Sequence, residues 1–163
     1  MKKTINLTLK MSELIFDIQN KTYLTGRSLS NGDNHSQVAN MQANDDDENE
    51  SQILRSITNA YAVLRTRLSE YIELDENSSN NDCLGTSENL VMGLQMPSNF
   101  NASVTKTIGE AAHQFIVSTA IADWFAITAK GETHDYSSVA AASLKVLEEA
   151  LCKRSRPQRS NLE

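Results

Sequence analysis

Apolar residues first recur at every second position. Ile5, Leu7 and Leu9 alternate with Asn6 and Thr8, a period of two that predicts a strand over residues 3–10 with one buried face. The period then lengthens to that of a helix. Leu14, Ile15 and Ile18 carry it through residues 12–24, with Ser12 as the predicted N-cap, Glu13 complementing the dipole and Gly26 as the stop. Between Arg27 and Asn44 the pattern lapses. Val38 and Met41 are the only sizeable apolar side chains in the middle of this stretch, enough to anchor a single helical turn. A connection this long is unusual inside a compact domain. A mobile loop, or an arm that packs on something else, is expected.

Helical spacing returns at Ile53, Ile57, Tyr61, Leu64, Leu68 and Tyr71, predicting an amphipathic helix over 47–72. Residues 75–89 are polar again. Leu90, Met92, Leu94 and Met96 then alternate with Val91, Gly93 and Gln95, a second strand ended by Pro97. It is expected to pair with residues 3–10, with Tyr71–Leu74 a candidate third strand.

The stretch from Asn101 to Lys153 holds the most apolar sequence. It reads as helices over 102–129 and 135–154 joined by a turn at Lys130–Thr133, with Ser98 or Asn101 available as the cap. From Phe115 to Ile127, around the only tryptophan, apolar residues lie nearly all round the helix, as in a helix buried on several sides. Tyr136, Ala140, Leu144, Leu147 and Leu151 share one face of the second helix.

These elements predict an α+β fold, mainly α: an antiparallel helical bundle with a small two- or three-stranded sheet and long polar arms. A single domain over 1–163 is expected, with a polar arm at 26–46, a polar loop at 75–89 and a basic tail at 154–163. Trp124, Phe115, Leu64, Ile57, Leu144 and Leu147 are the expected core.

Composition adds that the core is modest: 39% of the 163 residues are hydrophobic. The net charge of -6 argues against free nucleic acid as a general partner. Charge is unevenly placed, with an acidic run at Asp45, Asp46, Asp47, Glu48 and Glu50 and a basic run at Lys153, Arg154, Arg156 and Arg159. Cys83 and Cys152 share no metal or redox spacing and read as free thiols. Met1-Lys2-Lys3 is followed by alternation rather than by the apolar core of a signal peptide. The run at Phe115 is too short and interrupted to span a bilayer. A soluble, cytoplasmic product is expected.

Candidate chemistry is sparse. His35, His113 and His134 have no spacing that places two on one face. The acidic run lacks the glycine and terminal glutamate of a calcium loop. Gly26-Arg27-Ser28 and Asn31-Gly32-Asp33 lack phosphate-loop order and read as turns. Asp123 stands out as a carboxylate inside an apolar helix, costly unless paired. Arg27, Arg55 or the Tyr136 hydroxyl are its candidate partners. No catalytic, metal or cofactor-binding residue is assigned.

Two stretches carry a resemblance. One comprises Tyr23-Leu24-Thr25-Gly26-Arg27, Asn40 to Glu48 and the long helix to Tyr71. The other comprises Met96-Pro97-Ser98-Asn99-Phe100, Ala122-Asp123-Trp124-Phe125-Ala126-Ile127-Thr128, Tyr136 and the ending Leu151-Cys152-Lys153-Arg154-Ser155-Arg156-Pro157-Gln158-Arg159. Together they resemble small virion proteins of tailed phages and prophages of Bacteroidales-type gut bacteria. The resemblance implies a neck or tail subunit, such as a ring-forming head–tail connector, located in the virion and assembled in the host cytoplasm. It implies a homo-oligomeric ring, portal or tail proteins as partners, and no catalytic residues. No membrane, small-molecule substrate, cofactor or sequence-specific nucleic acid is expected. A cytoplasmic helical adaptor with no virion role is the alternative.

The arm and the tail are too poor in apolar residues to offset an ordering cost of roughly 1–2 kcal/mol per residue. Both are therefore expected to lie off the core and contact other chains. The expected interface residues are Arg27, Val38, Met41, Asp46, Arg154, Arg156 and Arg159.

Overall fold

The most apolar segment of the chain becomes the hub. In the computed structural model, which describes residues 1–74 and 76–159, helix α4 (Thr105–Thr128) packs against almost every other element. Ile108, Ala112, Phe115, Ile116, Ile121 and Phe125 are buried on its different sides, as its all-round apolar pattern requires. Asp75 and Ser160–Glu163, at the edges of the expected polar loop and basic tail, lie outside the described residues.

Helix α5 (Thr133–Leu151) returns antiparallel to α4 after a 3-10 turn at Lys130–Glu132, buries Ala140, Leu147, Ala150 and Leu151, and stacks Tyr136 on Phe125 with ring centroids 5.5 Å apart. Helix α3 (Asp47–Arg67) lays Ile53, Ile57, Ala60 and Leu64 on the other flank of α4. It stops short of the expected residue 72, because Leu68 leaves helical geometry and Ser69–Tyr71 tighten into a 3-10 turn. Five of the six expected core residues are buried. Leu144 is half-exposed, because α5 has only α4 along its length to pack on.

The sheet has two strands, β1 (Lys3–Leu9) and β2 (Leu90–Met96), antiparallel from Lys3–Met96 to Leu9–Leu90. Leu7, Leu9 and alternate residues of β2 face the helices, while Thr4, Asn6, Thr8 and Val91 face solvent. The candidate third strand does not form: Tyr71 closes the 3-10 turn, and Ile72 N–H donates to Ser69 O.

Two helix ends differ from expectation. Helix α1 (Met11–Ser28) starts directly from the strand, so Ser12 is inside it. The Asn89 side chain, from just before β2, accepts from Met11 N–H at 3.4 Å and so takes over capping. Gly26 does not stop the helix. It is buried within it, and a Cβ there would stand 3.1 Å from Val38 O, so glycine allows two backbones to approach. Of the two candidate caps before α4, Asn101 serves: its Oδ1 accepts from Ser103 N–H at 3.1 Å.

The approach at Gly26 belongs to the largest correction. The expected free arm is folded onto the body. Residues His35–Met41 form a short helix, α2, whose Met41 is 5% exposed and followed by a fully buried Ala43. The Trp124 indole N–H donates to Met41 O at 2.8 Å, and Ala43 N–H donates to the buried Thr22 hydroxyl at 3.1 Å. Polar groups of the core thus find their partners in the arm's backbone, and this supplies what its few apolar side chains do not.

Candidate functional site

The charged segments sit at opposite ends of α4. Trp124, near the helix C-terminus, holds Met41, and the chain runs from there through Ala43 into the acidic start of α3. Asp45, Asp46, Asp47 and Glu48 are exposed there. At the other end, Asn101 N–H donates to Lys153 O at 3.1 Å, and Ser155 N–H donates to Asn99 O at 2.7 Å. With 24 residues, α4 spans about 36 Å. Tail and acidic run therefore cannot meet within one subunit. Negative side chains at the start of α3 and Arg65 and Arg67 at its end complement the helix dipole as well.

The expected interface residues divide. Arg27 is exposed in the last turn of α1. Asp46 is exposed, with Oδ2 accepting from the Asn44 amide at 2.8 Å. Val38 is half-buried against Gly26. Met41 is removed from the list of surface anchors, because its side chain is spent in the subunit's own core. Arg154 is tied down: it bridges Phe100 through the backbone, and its Nη1 donates to Leu151 O at 2.8 Å. Arg156 and Arg159 are exposed.

Asp123 takes none of its three expected partners. The Tyr136 hydroxyl lies 2.7 Å from that of Thr25 instead, and Arg55 donates to Asn81 O. Asp123 is on the solvent side of α4 beside α3. Partial burial pushes its carboxyl above the usual carboxylate range, and a hydrogen bond from Ser56 offsets part of that rise.

Two grooves escaped sequence reasoning. One of about 590 Å³, with polar and apolar groups in its lining alike, runs between β1 and the first half of α4, and includes Glu13 and Asp17 of α1. On its wall His113 Nε2 lies 2.7 Å from Asp17 Oδ2, with both side chains partly buried. Nearby Lys21 donates to Gln114, which in turn donates to the buried Ser118. The only advance signal was that Asp17 and Lys21 fall four apart on α1 and His113 and Gln114 are adjacent on α4. The second groove, of about 690 Å³, lies between α4 and α5 and is mostly apolar, bordered by Ala111, Ala142, Val139 and Val146. Val139 and Val146 are seven residues apart, a two-turn ridge.

Among the described residues no group of three or more His, Cys, Asp or Glu side chains could hold a metal ion, and no helix is long and apolar enough to cross a membrane. Both cysteines are free and exposed. No protein-family model, curated protein or solved structure matches the chain.

Proposed function

We propose that this chain is a structural subunit of a tailed-phage virion, a ring-forming neck or tail component of the head–tail connector kind. The observation that carries the proposal is the separation of charge: acidic and basic segments stand about 36 Å apart at the two ends of α4 and cannot neutralise each other inside one subunit. The basic tail is left to an acidic surface of a neighbour. A contact between two different patches repeats from copy to copy and closes into a ring when the rotation permits. The sequence resemblance to phage virion proteins supports the same reading. In this role the chain binds portal or tail proteins and its own copies, and catalyses nothing.

The test is composition of particles. Virions induced from a bacterium carrying the gene, purified and digested for mass spectrometry, should contain the chain in a fixed ratio to the portal protein. Purified particles that lack it would overturn the reading. A helical adaptor without a virion role is the second reading, favoured by the apolar α4–α5 groove, which has the length of a two-turn helix segment. Absence from particles, together with one stable partner recovered from the cytoplasm, would support it.

A further inference from the structure

A two-stranded sheet has two outer edges, and here they are treated differently. On β2 the Tyr61 hydroxyl donates to Val91 O at 3.2 Å. The Val91 carbonyl therefore points away from β1. Ladder bonds alternate between hydrogen-bonded and non-hydrogen-bonded pairs. Thr8, opposite Val91, and with it Thr4 and Asn6, accordingly turn their N–H and C=O groups to the outer edge of β1. Pro97 agrees with this phase: with no N–H just beyond Met96, the last pair, Lys3–Met96, is closed by its own two bonds. Among the described residues no backbone group of Lys3–Leu9 has a partner outside the ladder.

This open edge forms one side of the first groove. Every residue from Ile5 to Lys10 lines it, both those facing the core and those facing solvent, as happens only along a strand's edge. The opposite side is the start of α4, at Thr105, Gly109 and Glu110. A second recess continues along Lys3–Asn6 towards Phe100. Residues of α1 and α4 line the same groove, which favours a single narrow segment over the edge of another folded sheet.

We infer that the outer edge of β1 takes an extended segment as a third strand, and that the segment is the basic tail of a second copy. This rests on the ring reading above and names the surface of the neighbour that receives the tail. Three observations select the tail. First, charge: the groove presents three carboxylates, Glu13, Asp17 and Glu110, against two lysines, Lys10 and Lys106. Asp17 is paired with His113, and Glu13 and Glu110, like the two lysines, have no ion pair among the described residues. Arg156 and Arg159 are exposed cations outside any helix or strand. Second, place: the tail leaves the body at Phe100, whose carbonyl also accepts from Lys3 Nζ at 3.0 Å, so tail and strand start at the same end of the subunit. In a ring whose axis runs along α4, neighbours would meet at one height. Residues 156–159 reach about 14 Å at most, far less than the length of α4 to the acidic start of α3. Third, Pro157 fits an edge strand: Arg156 and Gln158 pair with β1, and the residue without an N–H faces outward. Addition of a strand to an open edge is a general mode of peptide recognition.

Amide hydrogen exchange on the full chain, read by NMR over a dilution series and with a synthetic peptide of residues 153–163 added, tests this. Exchange at Thr4, Asn6 and Thr8 should slow by about tenfold or more on association or on peptide addition, while Ile5, Leu7 and Leu9, already bonded, should change little. The chain truncated after Ser155 should show no concentration-dependent protection and regain it with peptide. Asn6→Pro should not regain it, and Glu110→Lys, on an exposed wall of the groove, should weaken peptide binding even if the proline variant folds poorly. Protection that is independent of concentration would mean that the tail folds onto its own strand. Protection of the truncated chain would mean another occupant, and peptide-induced protection at Asp45–Glu50 would mean the other acidic surface. Each of these overturns the inference. A chain present in virions with an unprotected β1 edge sinks this inference alone. A protected edge in a chain absent from virions sinks only the virion role.

Discussion

The arm after α1 and the tail after α5 begin alike. Both are polar, both follow a helix, and both leave next to an end of α4. The arm, residues 29–46, then folds onto the body through Met41, Ala43 and the short helix α2. The tail keeps two backbone bonds, which together make the Phe100–Arg154 bridge, and from Arg156 onward its described residues are exposed. Apolar content separates them in part: the arm carries Leu29, Val38, Ala39, Met41 and Ala43, while the described tail from Lys153 to Arg159 has no apolar side chain but Pro157. Buried hydrogen bonds separate them as well: the Trp124 indole N–H finds its acceptor in the arm's Met41 O, and Thr22, whose hydroxyl donates to Gln19 O, accepts from the arm's Ala43 N–H. The tail's bonds, Asn101 N–H to Lys153 O and Ser155 N–H to Asn99 O, go to loop backbone rather than to a buried side chain. A polar segment docks where the core has an unmet hydrogen bond to offer, since a buried donor left unpaired costs about 1–3 kcal/mol.

The largest effect that would break this contrast comes from the core side. Trp124→Ala should destabilise by roughly 3–5 kcal/mol through lost burial and a cavity, a large fraction of the roughly 5–15 kcal/mol that holds a domain together. It should also release the arm, seen as fast amide exchange through residues 35–43. A docked arm in that variant would show that the indole bond does not hold it. Next comes Met41→Ala, at roughly 2–5 kcal/mol in urea unfolding. A neutral result would return Met41 to the surface and restore the free-arm reading. Thr22→Val keeps shape but removes the acceptor of Ala43 N–H, and should cost about 1–3 kcal/mol. Loss of protection should be largest at Ala43 itself. The smallest effect sharpens the other half: truncation after Ser155 should leave the unfolding free energy of the monomer within about 0.5 kcal/mol. A larger loss would mean that the tail, too, is part of the body.

Much of the fold could be read from periodicity. The two strands, the long α3 and the α4–α5 hairpin lie within a few residues of the expected places, because burial of one face imposes its own repeat on the chain. Trp124, Leu64 and Ile57 belong to the core for the same reason. The misreadings have other causes. Rules that act within a few residues assign Ser12 and Gly26, while Asp123 is expected to pair with a distant group, Arg27, Arg55 or Tyr136. In the fold each is governed by a partner far away in sequence: Asn89, Val38 and Ser56.

The candidate site was legible only as composition. Charges at 45–50 and 153–159 are visible in the chain, but their separation to opposite ends follows from where α4 places Trp124 and Asn101. The open edge of β1 and its groove exist because Tyr61 covers β2 and because α1 and α4 flank β1, none of which any local pattern encodes. Alternation and helical spacing by themselves determined which residues are buried and in what elements. Only the tertiary structure decided which polar segments are held, because a hydrogen bond from Trp124 to Met41 depends on two places in the chain, 83 residues apart, arriving together.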